Sequence, residues 1–173
     1  MFMKSIQSLC LIQSILMKTD LSNATFIIPI RIESDDRLRN VVTSIAFLVE
    51  NFDTNIIVKE VDKESVFQTE VLPIFEEILE VDLWKNFHHI FERSEEPLFH
   101  RQRVLNEMIA ECETDIVVNY DCDVILPMKS YELAYNGITE GIYDVVYPCL
   151  LYTSDAADDG VCVERGGGRC SKW

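Results

Sequence analysis

Apolar residues along this chain fall into two alternating patterns: short β-branched runs, and longer stretches with apolar positions three or four apart. That alternation predicts a βαβ architecture with a mostly parallel sheet. Residues 25–32 read as a buried first strand, and Pro29, which has no N–H for a ladder, is expected at its carboxyl end or at a sheet irregularity. Ser34 is the expected N-cap of a helix whose stripe is Leu38, Val41, Val42, Ile45, Phe47, Leu48 and Phe52. Residues 55–60 form the second strand and 70–79 a second helix, where Pro73 is tolerable only in the first turn. A short third strand covers 88–91, and a helix over 99–113 turns Val104, Leu105, Met108 and Ile109 inward. A central strand over 115–120 then runs directly into Asp121-Cys122-Asp123. Ser130 caps a last helix through Ile138, and a further strand begins at Tyr143.

The two ends depart from this pattern. Residues 1–23 read as a leader, with Met17 as the expected start, and their apolar run is too short to span a membrane. Residues 149–173 show neither period beyond Leu150-Leu151-Tyr152, and the segment from Cys149 to Asp158 resembles one translated frame of a sequencing-library adaptor. They are expected to be a non-native tail, leaving one domain over 24–148.

With 173 residues, 48% of them apolar, the chain can bury one proper core. Its 30 acidic and 15 basic residues give a net charge of −15, which argues against a nucleic-acid partner. An acidic protein that holds a diphosphate does so with a divalent cation and a few placed arginines. The six cysteines include no CxxC pair, and three of them lie in 149–173, which favours free thiols and a reducing, cytoplasmic setting. His88, His89 and His100 are scattered and read as ordinary surface or core histidines.

The chemistry concentrates at Asp121-Cys122-Asp123. In an extended chain residues two apart project to the same side, so both carboxylates are expected to face one crevice at the carboxyl end of their strand. Open α/β sheets bind ligands there. Two hard oxygen donors suit Mn2+ or Mg2+, which keep further positions for diphosphate oxygens and neutralise the charge that grows on a departing diphosphate. Arg101 and Arg103 open the preceding helix, where basic side chains are unfavourable to the dipole by about 0.3 to 1 kcal/mol each. Either an anion held nearby offsets that cost, or the arginines pair with Glu107 or Glu95.

The run from Arg101-Gln102-Arg103-Val104-Leu105-Asn106 through Asp121-Cys122-Asp123 resembles the central block of family 2-like glycosyltransferases of the GT-A fold, the nucleotide-diphospho-sugar transferases. Phe26 to Glu33 is similar to that family's first strand, and Ile56 to Glu60 resembles its second, whose terminal acid contacts the nucleoside base. The resemblance implies a three-layer α/β sandwich, C-terminally truncated, with a nucleotide-sugar-binding domain over 24–148. It further implies a UDP- or GDP-sugar donor, an acceptor it does not identify, and Mn2+ or Mg2+ as cofactor. Carried over by position, Arg31, Glu33 and Glu60 would line base and ribose, and Arg101 and Asn106 would approach base or diphosphate. Asp121 would meet ribose or metal, and Asp123 would ligate the metal.

The departures matter. Val61-Asp62-Lys63-Glu64 replaces the family's Asp-Gly-Ser turn, so either Glu60 or Asp62 is the nucleoside contact, and Arg31 stands where an Asn or aromatic residue is common. The family's catalytic base, an acid in the acceptor half, has no counterpart before Pro148, so the chain reads as a fragment that transfers poorly. Two rival readings remain: an aspartate-nucleophile phosphatase, since Asp121-Cys122-Asp123-Val124 also fits DxDxV, and a non-catalytic nucleotide-sugar-binding module.

Overall fold

A computed structural model describes residues 18–78 and 86–147, with the backbone of 162–164 and 170–171. The chain divides into two compact units, Met1–Val124 and Ile125–Trp173, a boundary inside the stretch read as one domain.

The first unit runs β1 (Thr19–Ile30), α1 (Asp35–Asn51), β2 (Phe52–Asp62), a single π-helical turn (Phe67–Val71) leading into α2 (Leu72–Ile78), β3 (Phe87–Arg93), α3 (Arg101–Glu111) and β4 (Ile116–Asn119). All four strands are parallel, in the order β3-β2-β1-β4. Along β1, odd-numbered side chains face α3: Ile27 packs with Ile57, Val61, Val104, Leu105 and Met108. Even-numbered ones face α1, where Phe26 stacks on Phe52 and Phe52 meets Phe47 of α1 edge-on. Helices thus cover both faces of the sheet. Buried strand residues such as Ile28 and Val58 each stabilise this arrangement by about 1.5 to 3 kcal/mol.

Several expectations are corrected in detail. The polar residues 19–23, read as leader, belong to β1: Thr19 and Asp20 pair with Phe52 and Asp53 before the register breaks. They are held because Leu21 is buried and Asn23 exchanges two hydrogen bonds with Asp115, its Nδ2 donating to the carboxylate and its Oδ1 accepting from the N–H. Pro29 does lie near the carboxyl end of β1, beyond Ile27, where pairing with β4 stops. β4, expected to be central, pairs only with β1 among the described residues and so forms an edge of this sheet. Ile109, expected inward, is 49% exposed, because one step past Met108 rotates it off the buried face. Pro73 follows the π turn, in which the Leu72 N–H reaches Phe67 O. The wider turn relieves the clash of a proline ring with the carbonyl four residues earlier.

In the second unit, α4 (Met128–Thr139) starts after Pro127 rather than at Ser130, whose N–H donates to Pro127 O. The Leu126 N–H donates to Tyr131 Oη, and the helix is closed by Gly141 in the left-handed region at φ 69°. β5 (Val146–Tyr147), β6 (Cys162–Glu164) and β7 (Cys170–Ser171) form a small antiparallel sheet. Residues 1–17, read as part of a leader, and most of 149–173, read as a non-native tail, lie outside the described residues. Among the described residues no helix is long and apolar enough to cross a membrane.

Candidate functional site

The strand order places a reversal between β1 and β4. The chain leaves β1 through α1 on one face and enters β4 from α3 on the other, and diverging connections of this kind leave a ligand crevice beyond the carboxyl ends of the two strands. Arg31 and Glu33 follow β1 directly, and Asp121 and Asp123 follow β4.

Asp121-Cys122-Asp123 is a turn, not the extended segment expected, because β4 ends at Asn119 and the Val124 N–H reaches back to Asp121 O at 3.4 Å. The two carboxylates are nonetheless both exposed, with a buried Cys122 between them. The turn is pinned from both faces of the sheet. On the α1 face Ser44 Oγ donates to Cys122 O at 2.7 Å. On the α3 face Arg101 Nη2 donates to Asp121 Oδ1 at 2.5 Å and to Asn119 Oδ1 at 3.1 Å. Burial pushes the Cys122 thiol up to about 12, and the side chain packs inside the fold between the two acids.

Of the two readings of the helix-opening arginines, pairing holds for Arg103, which binds Glu107 and also Glu92. Glu95 instead lies near Lys63 and Arg93. Arg101 pairs with the candidate site itself. Asn106 is exposed on α3, and five residues of helix carry it to a different face from Arg101, so the two are not brought together.

Arg31 is 8% exposed, and its Nε and Nη1 donate to Val61 O and Pro97 O. Its guanidinium lies 5.6 Å from the Phe99 ring centre, with no carboxylate in ion-pair range among the described residues. Glu33 is exposed. Glu60 is wholly buried, and its oxygens accept from Ser65 Oγ and from the N–H groups of Val66 and Phe67. Its carboxylate is therefore spent inside the fold, and of the two acids weighed for nucleoside contact Asp62 keeps the accessible one.

Reading the sequence missed Ser44, Asn119 and Arg37. Asn119 carried a signal, since it shares strand parity with Asp121. Arg37, whose charge acts on the Cys122 thiol, and Ser44 both arrive through α1 and had no local signal. A shallow depression of about 760 Å³ adjoins Arg101 at the head of α3, bordered also by Glu92, Ser94, Glu96, His100 and Arg103.

The cation implied by the resemblance can be tested against the donor set. Among the described residues no group of three or more His, Cys, Asp or Glu side chains forms a complete cage. Two exposed carboxylates just beyond the carboxyl end of β4 do fit a hard divalent ion that takes its remaining oxygens from a ligand and water. The chain matches no protein-family model, and no curated protein matches it.

Proposed function

We propose that this chain is the nucleotide-sugar-binding part of a divalent-metal-dependent glycosyltransferase of the GT-A fold, with a UDP- or GDP-sugar as donor. The observation that carries this reading is the turn Asp121-Cys122-Asp123, which holds two exposed carboxylates just beyond β4 at the reversal of strand order, with Arg101 on one of them.

Asp121 and Asp123 would hold Mn2+ or Mg2+, which when bound supplies charge neutralisation to the departing diphosphate. The chain's own groups do the rest. Ser44 and buried Cys122 keep the turn in place, and Arg101 brings a guanidinium fork suited to phosphate oxygens. Asp62 and Glu33 are the accessible acids left for hydroxyl or base N–H groups of the nucleoside. Arg31 ties β1 to the Val61 and Pro97 carbonyls and so holds the segment that leads into α3. No described residue is assigned as the base that activates an acceptor, so binding, not turnover, is the readout expected of this chain. The phosphatase reading gains no support from the topology, because the motif follows the fourth strand and Asp121 is held in an ion pair.

Calorimetric titration of the chain with UDP and with GDP, each with Mn2+ and with EDTA, tests the proposal. Weak saturable binding that disappears with EDTA is expected. Heats that are identical with and without the cation, for both nucleotides, would overturn it.

A further inference from the structure

Arg101 stands between two chemically different places. Its Nη2 serves Asp121 and Asn119, while the side chain, 38% exposed, also borders the depression at the head of α3. That helix has no side-chain cap and no acidic residue in its first turn, so the positive end of its dipole is left uncompensated from within the helix. The other charged groups around the depression are engaged with one another: Glu92 with Arg103 and Lys59, and Glu96 with His100. Arg101 differs, because its partner is one of the two carboxylates that would hold a cation. Among the described residues its Nε and Nη1 have no acceptor, which leaves the fork open on the side away from Asp121.

We infer that Arg101 is a latch that couples cation and nucleotide binding. With nothing bound it neutralises Asp121 and competes with a cation for that carboxylate. When cation and diphosphate arrive together, Arg101 gives up Asp121 and turns its fork to phosphate oxygens, exchanging one exposed ion pair for another of similar strength. This rests on the donor-binding reading above and adds a consequence to it. The cation alone binds poorly, and cation and nucleotide each tighten the other by the same factor, as linkage requires.

The test titrates Mn2+ into the chain with and without saturating UDP, and repeats this with Arg101→Gln and Arg37→Gln. UDP should tighten Mn2+ binding by about tenfold, within the usual span of coupling between sites. Arg101→Gln should bind Mn2+ alone about two- to fivefold more tightly, the scale of a half-exposed ion pair, and should lose part of the UDP-induced gain. Arg37→Gln removes an equal charge near the turn without freeing Asp121, and should shift Mn2+ binding less. Circular dichroism reports folding, and if Arg101→Gln does not fold, Arg101→Lys, which keeps the charge but not the fork, is read for the same directions at smaller size. Equal shifts in the Arg101 and Arg37 variants, or unchanged affinity for Mn2+ alone in an Arg101 variant that still takes up Mn2+ with UDP, would overturn the latch. Failure of the unsubstituted chain to bind UDP with Mn2+ overturns the donor-binding reading itself, and the latch with it.

Discussion

The strands on either side of β1 both deliver acids at their carboxyl ends, and those acids meet opposite fates. At the end of β2, Glu60 is 0% exposed and accepts from Ser65 Oγ at 2.5 Å, from the Val66 N–H at 2.9 Å and from the Phe67 N–H at 3.1 Å. His89 Nε2 stands 3.4 Å away, too far for a well-formed hydrogen bond but close enough for attraction when protonated, and its ring stacks on Phe67. Beyond β4, Asp121 and Asp123 are exposed, and a single arginine reaches Asp121. Both ends carry acids, but Glu60 still lies within the internal strand β2, paired on both sides, whereas Asp121 and Asp123 lie beyond the edge strand β4. The segment that follows each strand widens that difference. After β2 the chain folds back and hands its first helical N–H groups to the carboxylate, whereas the turn after β4 is fastened through the Cys122 carbonyl and leaves its acids facing outward. An acid at the end of a parallel strand becomes structural when the next few residues supply its donors, and stays available to a ligand when they do not.

The strongest way to break this comparison is to remove Glu60. Glu60→Ala leaves two backbone N–H groups and a hydroxyl without their acceptor in a buried place, and should cost about 3 kcal/mol in urea denaturation. Glu60→Gln keeps an acceptor and should cost less. The same carboxylate should also appear in the pH dependence of stability. Burial by itself pushes Glu60 up, but the nearby His89 ring together with the hydrogen bonds from Ser65 and the Phe67 N–H outweighs it and holds the group below the usual carboxylate range. The unfolded chain therefore binds this proton more readily than the folded one. The contribution is complete above the ordinary value of about 4.3 and is lost as pH falls through the depressed folded value. Urea midpoints measured from about pH 6 down to about pH 3 should fall for the unsubstituted chain and fall less for Glu60→Gln.

On the other side of β1 the expected signature is reversed. Asp123→Asn removes an exposed charge with no hydrogen bond from the described residues, so stability should stay within about 0.5 kcal/mol. Binding of UDP in the presence of Mn2+ should weaken by at least about tenfold, or about 1.4 kcal/mol, if Asp123 is one of the two hard donors proposed for the cation. A variant that is destabilised as strongly as Glu60→Ala, with nucleotide binding intact, would erase the distinction between the two strand ends.

How far these fates could be read in advance follows the range of the forces involved. The cores of β1 and β2 were legible because strands buried on both faces read as continuous apolar runs. The Ser34 cap was legible because capping is local, and the Ser34 hydroxyl does accept from the Arg37 N–H at 3.3 Å. The extension of β1 to Thr19 was not, since it depends on Asn23 meeting Asp115 at the far end of β4. Nor was the edge position of β4, because strand order leaves no trace in local periodicity. At the candidate site, the place of Asp121 and Asp123 at the carboxyl end of an apolar strand was legible, whereas their turn and its fastening to Ser44 come from α1 and have no sequence neighbour to announce them. Glu60 shows the limit most plainly. The family resemblance implied Glu60 or Asp62 as a nucleoside contact, and the fold-back through Ser65 and Phe67 turned Glu60 inward.

The smallest expected effect sharpens the comparison at its middle ground, where acids are neither sealed in nor free. Lys59, 12% exposed, reaches both Glu92 and Glu107, and Arg103 reaches the same two carboxylates from α3. Hydrogen bonds from Arg103, with Lys59 adding to them, hold Glu92 below its usual range. Each acid thus has two cations, and Arg103→Ala leaves both acids still paired with Lys59. The half-exposed Arg103 should therefore contribute no more than about 1 kcal/mol in urea denaturation. The difference should shrink further between low and high salt, because this network lies within reach of screening ions while Glu60 does not. If Arg103→Ala instead cost as much as Glu60→Ala and ignored salt, shared donors on a half-exposed face would be acting as buried ones do. Solvent access would then have to be dropped as what sets the strength of these carboxylate contacts.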